Sequence, residues 1–140
     1  MHIIHKYNKA VILGLSGVTS LGLIHSLAEK NVDLYGVNVE IIKGLSYYSK
    51  HLKMRYYQKS GYSEEELLAL IKSQEKLHNS YIFASNDEMV LFLSRYSSEL
   101  RSMNIIGTEC LLRDRDILDK DVIKKRALLA GFNIPKTYSN

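Results

Sequence analysis

Apolar positions along the chain fall into short unbroken runs, separated by stretches in which they recur at helical spacing. Lys9-Ala10-Val11-Ile12-Leu13-Gly14-Leu15 shows no polar alternation, the pattern of a strand covered on both faces in a parallel sheet. A small-residue turn, Leu15 to Ser20, follows it. Leu21, Leu23, Ile24, Leu27 and Ala28 then predict a helix from about Thr19 to Lys30, stopped at Asn31. Asp33 to Val39 reads as a second buried strand, so the opening of the chain is a βαβ unit with a right-handed crossover. Gly14 and Gly17 allow positive φ and close approach in the turn, and Gly22 lets the helix lie near the strand. The helix N-terminus faces this turn with free N–H groups, which suit an anion.

The same alternation continues. Glu40 to Ser49 is irregular, broken by Gly44 and Ser46, and Lys50 to Lys59 supplies a short basic third strand. Strict alternation there puts Lys50, Leu52, Met54 and Tyr56 on one face and His51, Lys53, Arg55 and Tyr57 on the other. Ser63-Glu64-Glu65-Glu66 opens a long helix as a capping box, with Leu67, Leu68, Leu70, Ile71 and Leu77 as its apolar face and Asn79 as its end. Tyr81 to Ala84 is a fourth strand, Met89 to about Arg101 a helix, and Asn104 to Gly107 a fifth strand. A last helical region from Glu109 to Ala130, broken near Asp116 to Asp119, closes at Gly131. Pro135 keeps the following segment extended.

These elements predict an α/β fold: a doubly wound, mostly parallel sheet of about five strands with helices on both faces, in the order 3-2-1-4-5. Residues 1–8 form a lead-in, 9–131 the domain, and 132–140 the start of a linker. Ligands in such sheets bind beyond the carboxyl ends of the strands where the order reverses. That point lies between strands one and four, so Gly14 to Gly17 should face Ser85 to Asp87.

Composition narrows the class without naming a reaction. A chain of 140 residues with 46% hydrophobic and 24% charged residues is an ordinary globular domain. No apolar run approaches a membrane span, and Met1 to Lys6 lacks the core of a signal peptide, so a cytoplasmic location is expected. Cys110 is the single cysteine, and His2, His5, His25, His51 and His78 are scattered, so no metal site is expected. The net charge of +4 is densest from Lys50 to Lys59, among Tyr47, Tyr48, Tyr56, Tyr57 and Tyr62. Cations interleaved with aromatics suit single-stranded nucleic acid, but an edge strand guarded by charge accounts for them, and no second basic patch exists.

The loops constrain the chemistry further. Gly14-x-x-Gly17-x-x-x-x-Gly22 departs from the G-x-G-x-x-G dinucleotide fingerprint, and strand two ends in Asn38 where an acid would hold a ribose, with Glu40 displaced by two residues. No nucleophile triad and no P-loop is present. Ser85 and Glu88 can serve as a capping box for the next helix, which leaves Asn86 and Asp87 for a polar substrate. Asp119 is a natural helix cap, and the cations that follow decorate a solvated face.

The run Asp119-Lys120, Ala127, Ala130-Gly131-Phe132-Asn133-Ile134-Pro135-Lys136-Thr137 resembles the junction at which ATP-grasp ligases pass from their amino-terminal domain into the ATP-grasp fold. Ala10 to Gly14 with Leu21-Gly22, Gly44 with Ser49-Lys50-His51, and Ser85-Asn86-Asp87-Glu88 are similar to the Rossmann-like pre-ATP-grasp domain of carboxylate-amine ligases, relatives of biotin carboxylase and carbamoyl phosphate synthase. The chain departs from that pattern at Lys136, at Asn38 and in Gly17-Val18-Thr19. The resemblance implies a domain that supplies one wall of a substrate site and is inactive alone. ATP and Mg²⁺ would be held by a downstream ATP-grasp domain, with no cofactor, metal ligand or catalytic residue in this stretch. Small carboxylate and amine substrates are the implied ligands, and a homodimer is compatible with it. Substrate would meet Gly14, Ser16, Gly17, Asn38, Ser85, Asn86 and Asp87, and Lys120 matches a position that directs a lysine at the nucleotide. Two rival readings stand beside this one: a free-standing module for a small anion or nucleotide, and a nicotinamide-dependent enzyme.

Overall fold

The computed structural model describes residues 7–58, 63–107 and 118–136. Residues 1–6 of the lead-in with His2 and His5, Lys59 and Tyr62 of the basic stretch, residues 108–117 with Glu109, Cys110 and Asp116, and Thr137 onward lie outside the described residues.

Five strands, β1 (Lys9–Leu13), β2 (Asp33–Asn38), β3 (Leu52–Tyr57), β4 (Ser80–Ala84) and β5 (Ile105–Ile106), form one all-parallel sheet in the order β3-β2-β1-β4-β5. This is the expected doubly wound order. β1 is central, and Ala10 to Leu13 are buried, as the unbroken apolar run requires. One face packs Ala10, Ile12, Leu34 and Leu52 against Ile24 of α1 (Val18–Ala28). The other packs Val11, Leu13, Val37 and Ile82 against three helices: α2 (Glu64–Ser73), α3 (Asp87–Arg95) and α4 (Ser97–Ser102). Their buried Leu67, Ile71, Met89, Phe92 and Leu100 each contribute roughly 1.5–3 kcal/mol relative to exposure. An ion pair between Arg95 and Glu64 ties α3 to α2. A hollow of about 720 Å³ remains beside α1, lined by Ala10, Leu27, Val32, Tyr81 and Phe83 among others.

Where local chemistry overrides periodicity, the elements shift. The basic strand carries a register break after Leu52: Leu34 pairs with Leu52 but Tyr35 with Met54, so Lys53 is the extra residue. Leu52 therefore joins the α1 face while Tyr56 lies against the opposite core, and strict alternation fails there. Lys53 turns out to Asp33 at 2.6 Å, and that hydrogen bond holds its ammonium above the ordinary lysine range. The long second helix ends at Ser73, and Leu77 enters the core from a separate 3₁₀ turn, Glu75–Leu77. The third expected helix, Met89 to about Arg101, breaks at Tyr96 into α3 and α4. Asn31, Asn79 and Asn104 each take a left-handed conformation (φ 56°, 54° and 55°) just before a strand, so asparagine makes these returns to the sheet.

Helix starts follow the expected chemistry in part. Ser63 accepts from Glu66 N at 3.4 Å, but Glu66 turns to Gln58, and Glu65 receives the Ser63 hydroxyl instead. Backbone N–H bonding and that hydroxyl hold the Glu65 carboxyl below the usual range. Asp119 caps α5 (Lys120–Leu129), accepting from Asp121 N at 2.9 Å. Gly131 closes it at φ 81°, Phe132 N donates back to Ala127 O at 2.9 Å, and residues 132–136 form neither helix nor strand.

The glycines separate into two kinds. A Cβ on Gly22 would meet nothing within 4 Å, so this residue faces outward and does not mediate a close helix–strand contact. A Cβ on Gly44 would overlap the Ser16 main chain, with Ser16 Cα at 2.6 Å and C at 2.7 Å. Gly44→Ala should therefore cost about 1–3 kcal/mol through overpacking, while Gly22→Ala should gain about 0.5–1 kcal/mol as a helix-interior replacement. Denaturant midpoints read both; an unchanged midpoint for Gly44→Ala would show that the 44 loop does not press on the 16 loop.

Candidate functional site

Three strand ends meet at the switch point. The first is the end of β1, where Gly14 leaves the strand with φ 85° and its N–H donates to Val37 O at 2.9 Å. Ser85 N donates to Leu13 O at 3.0 Å, which draws the end of β4 alongside. A Cβ on Gly14 would run into Ser85 Oγ, with Glu40 Oε1 at 3.4 Å and Asn86 Nδ2 at 3.5 Å. Three polar side chains from two other segments thus converge on the space that glycine leaves empty. Gly14 thus faces Ser85 and Asn86 across the switch point, as the topology predicts for that part of the loop.

Gly17 differs from Gly14. Its φ is −98°, an ordinary extended N-cap conformation, and its carbonyl accepts from Ser20 Oγ at 2.7 Å and Ser46 Oγ at 3.0 Å. Ser20 Oγ and Ser46 Oγ, both buried, lie 2.8 Å apart. A buried hydroxyl pair therefore clamps the loop to the Leu45–Tyr48 3₁₀ turn. Ser16 is exposed and donates to Glu40 Oε1 at 2.8 Å, while Leu15 N donates to Glu40 Oε2 at 3.4 Å. Glu40, set aside by spacing from the strand end, is the acid that reaches the glycine loop. Asn38 is 0% exposed, and its Nδ2 donates to Glu40 O at 2.7 Å, so it braces the Glu40 turn from below. Its Oδ1 is buried without a partner among the described residues.

At the end of β4, Asn86 and not Ser85 caps α3, accepting from Met89 N at 2.9 Å. Ser85 Oγ makes no hydrogen bond among the described residues, and Asp87, the first residue of α3, is exposed and likewise unpaired. These two groups are available to a ligand. Lys120 is the exposed first residue of α5, a helix that buries none of its side chains and packs extensively against no other described element. The structure does not bring it into contact with the switch point.

The aromatic-basic cluster is internally engaged. Lys43 Nζ sits 4.8 Å from the Tyr47 ring centroid and 4.6 Å from that of Tyr57, and Arg55 lies 5.8 Å from Tyr47. Tyr57 also donates to Ile41 O at 3.2 Å, so the cluster fastens the loop that carries Glu40. Among the described residues, no three histidine, cysteine or carboxylate groups are placed to hold a metal, and no helix is long and apolar enough to cross a membrane.

Compared with protein-family models and with curated proteins, the chain finds no match. The site is therefore read from its geometry.

If Gly14 is required by both its φ and the Ser85 contact, Gly14→Ala should cost about 1–3 kcal/mol. Part of that cost should vanish in a Ser85→Ala background, with coupling on the order of 0.5 kcal/mol or more. Strict additivity of the two changes in denaturant unfolding would separate Gly14 from Ser85.

Proposed function

We propose that this domain forms one wall of the substrate site of an ATP-dependent carboxylate-amine ligase of the ATP-grasp type, working with a downstream domain that binds ATP and Mg²⁺. The observation that carries the reading is the convergence at the switch point of Glu40, Ser85 and Asn86 about Gly14, with Asp87 beside them. Such a crevice offers positioning groups for a small polar substrate. The resemblance of the Asp119-Lys120 to Pro135 junction supports the same assignment.

Further support comes from the exposed apolar residues. Val18, Ile41, Ile42, Leu45 and Tyr48 belong to the segments that build the site, and Leu128, Leu129 and Phe132 lie at and just beyond the end of α5. Exposed apolar side chains gathered in this way suit contact with a neighbouring domain. A nicotinamide-dependent enzyme fits less well, because Glu40 holds a carboxylate against Leu15 N and Ser16 Oγ in the loop where a pyrophosphate would lie.

Three measurements test the reading. The 140-residue chain should release no Mg²⁺-dependent ADP from ATP. In a ligase containing this domain, Asp87→Asn should lower turnover by on the order of a hundredfold with unchanged ATP affinity, as expected for a lost positioning group. Lys120→Ala in that enzyme should weaken ATP binding with the fold intact. Normal turnover in Asp87→Asn beside a small loss of stability would reduce Asp87 to a helix-dipole partner, worth about 0.3–1 kcal/mol.

A further inference from the structure

The sequence scatters its histidines, and the fold brings two of them together. Ile24 of α1 and Leu52 at the start of β3 pack in the same core layer beneath the helix. Their chain neighbours, His25 and His51, are thereby carried to the rim of that layer. Both side chains are exposed, and their ring centroids stand 5.5 Å apart with the planes at 72°. The main chain of each is bonded, His25 O to Glu29 N and His51 N to Ser49 Oγ, but neither ring nitrogen pair has a hydrogen-bond partner among the described residues. His78 differs, since its Nε2 lies 3.3 Å from Ile71 O.

The pair does not stand on a flat surface. With Ala28 and Glu29 it lines a small hollow of about 280 Å³. Glu29 follows His25 by one helical turn, so the two share a face at the end of α1, and its carboxylate forms no ion pair among the described residues. The carbonyl end of α1 adds negative potential at the same place, which favours a cation. A metal ion lies about 2.0–2.1 Å from an imidazole nitrogen, hence about 3.2 Å from the ring centre, and two rings on a tetrahedral ion stand about 5.2 Å apart. The 5.5 Å spacing is close to that arrangement. Imidazole suits zinc, copper and nickel, whereas magnesium and calcium take oxygen ligands.

We propose that His25 and His51 chelate a divalent transition-metal ion of the Zn²⁺ class, with water completing the coordination sphere and Glu29 supplying charge beside it. Among the described residues no third side chain stands in ligating position, so the protein contributes two ligands. The ion would clasp the end of α1 to the start of β3, at the amino ends of the strands and on the far side of the sheet edge from the switch-point crevice. The site is independent of what that crevice binds.

Ring ¹H–¹⁵N NMR of the full chain titrated with Zn²⁺ tests it, with Mg²⁺ as the hard-cation control. The His25 and His51 ring nitrogens should shift with one common midpoint and saturate, while Mg²⁺ shifts neither. His25→Ala should raise the Zn²⁺ concentration needed for the His51 response by about tenfold or more, and His51→Ala should do the same to His25. Both side chains are exposed, and where one variant loses its native amide spectrum the reciprocal variant carries the test. An unchanged His51 response in His25→Ala, or different midpoints for the two rings in the parent chain, would show two independent imidazoles and overturn the chelate. Equal shifts with Mg²⁺, or no saturable shift at either ring, would overturn the metal site itself.

Discussion

The left-handed turn at Gly14 is the constraint on which the rest of the site depends. β1 is buried on both faces and flanked by β2 and β4, so its chain can leave the sheet only at the carboxyl end. With φ 85° at Gly14 and its N–H bound to Val37 O, the chain turns without opening a gap between β1 and β2. Because no Cβ occupies the inside of that turn, Ser85, Asn86 and Glu40 can crowd within reach of one point. A Cβ at 14 would displace the Ser85 hydroxyl and strain the turn at the point where these groups meet.

The loop after β2 is fixed by a different set of forces. Gly44 lies against the Ser16 main chain, the Ser20–Ser46 hydroxyl pair holds Gly17 O, and Lys43 is lodged between two tyrosines. Each contact is modest; buried hydroxyl bonds contribute about 0.5–1.5 kcal/mol and exposed cation–π contacts about 0.5–1 kcal/mol. Together they explain how a segment with exposed Ile41, Ile42 and Leu45 keeps Glu40 directed at the glycine turn. The basic, tyrosine-rich stretch thus has a structural use that does not require an external ligand.

Fold and site were legible in the sequence to different depths. The unbroken apolar run of β1, the βαβ spacing and the capping residues imply a parallel sheet, and right-handed crossovers then leave few strand orders. That reasoning places Gly14 opposite Ser85 without coordinates. It misplaces Gly17 and Gly22 because a glycine in a sequence shows only permission to adopt a conformation, not its use. It passes over Glu40 because strand-end spacing counts residues, whereas the chain turns sharply after Val39 and swings the side chain back onto Ser16. Leu52 and Tyr56 fall on opposite faces for a similar reason: one extra residue at Lys53 reverses the alternation, and no composition signal announces it.

The Glu40 side chain also separates this crevice from nucleotide-binding switch points that share its topology. A Rossmann turn that holds pyrophosphate must present free N–H groups and keep negative charge away from them, with its acid reaching outward to sugar hydroxyls. Here the acid reaches inward, satisfies Leu15 N and Ser16, and brings its charge to the mouth of α1. Freeing those donors for phosphate would require breaking both bonds and moving a carboxylate that Asn38 braces through the Glu40 carbonyl. One glutamate two residues beyond a strand thus changes the electrostatics of a backbone turn that other doubly wound sheets present to anions.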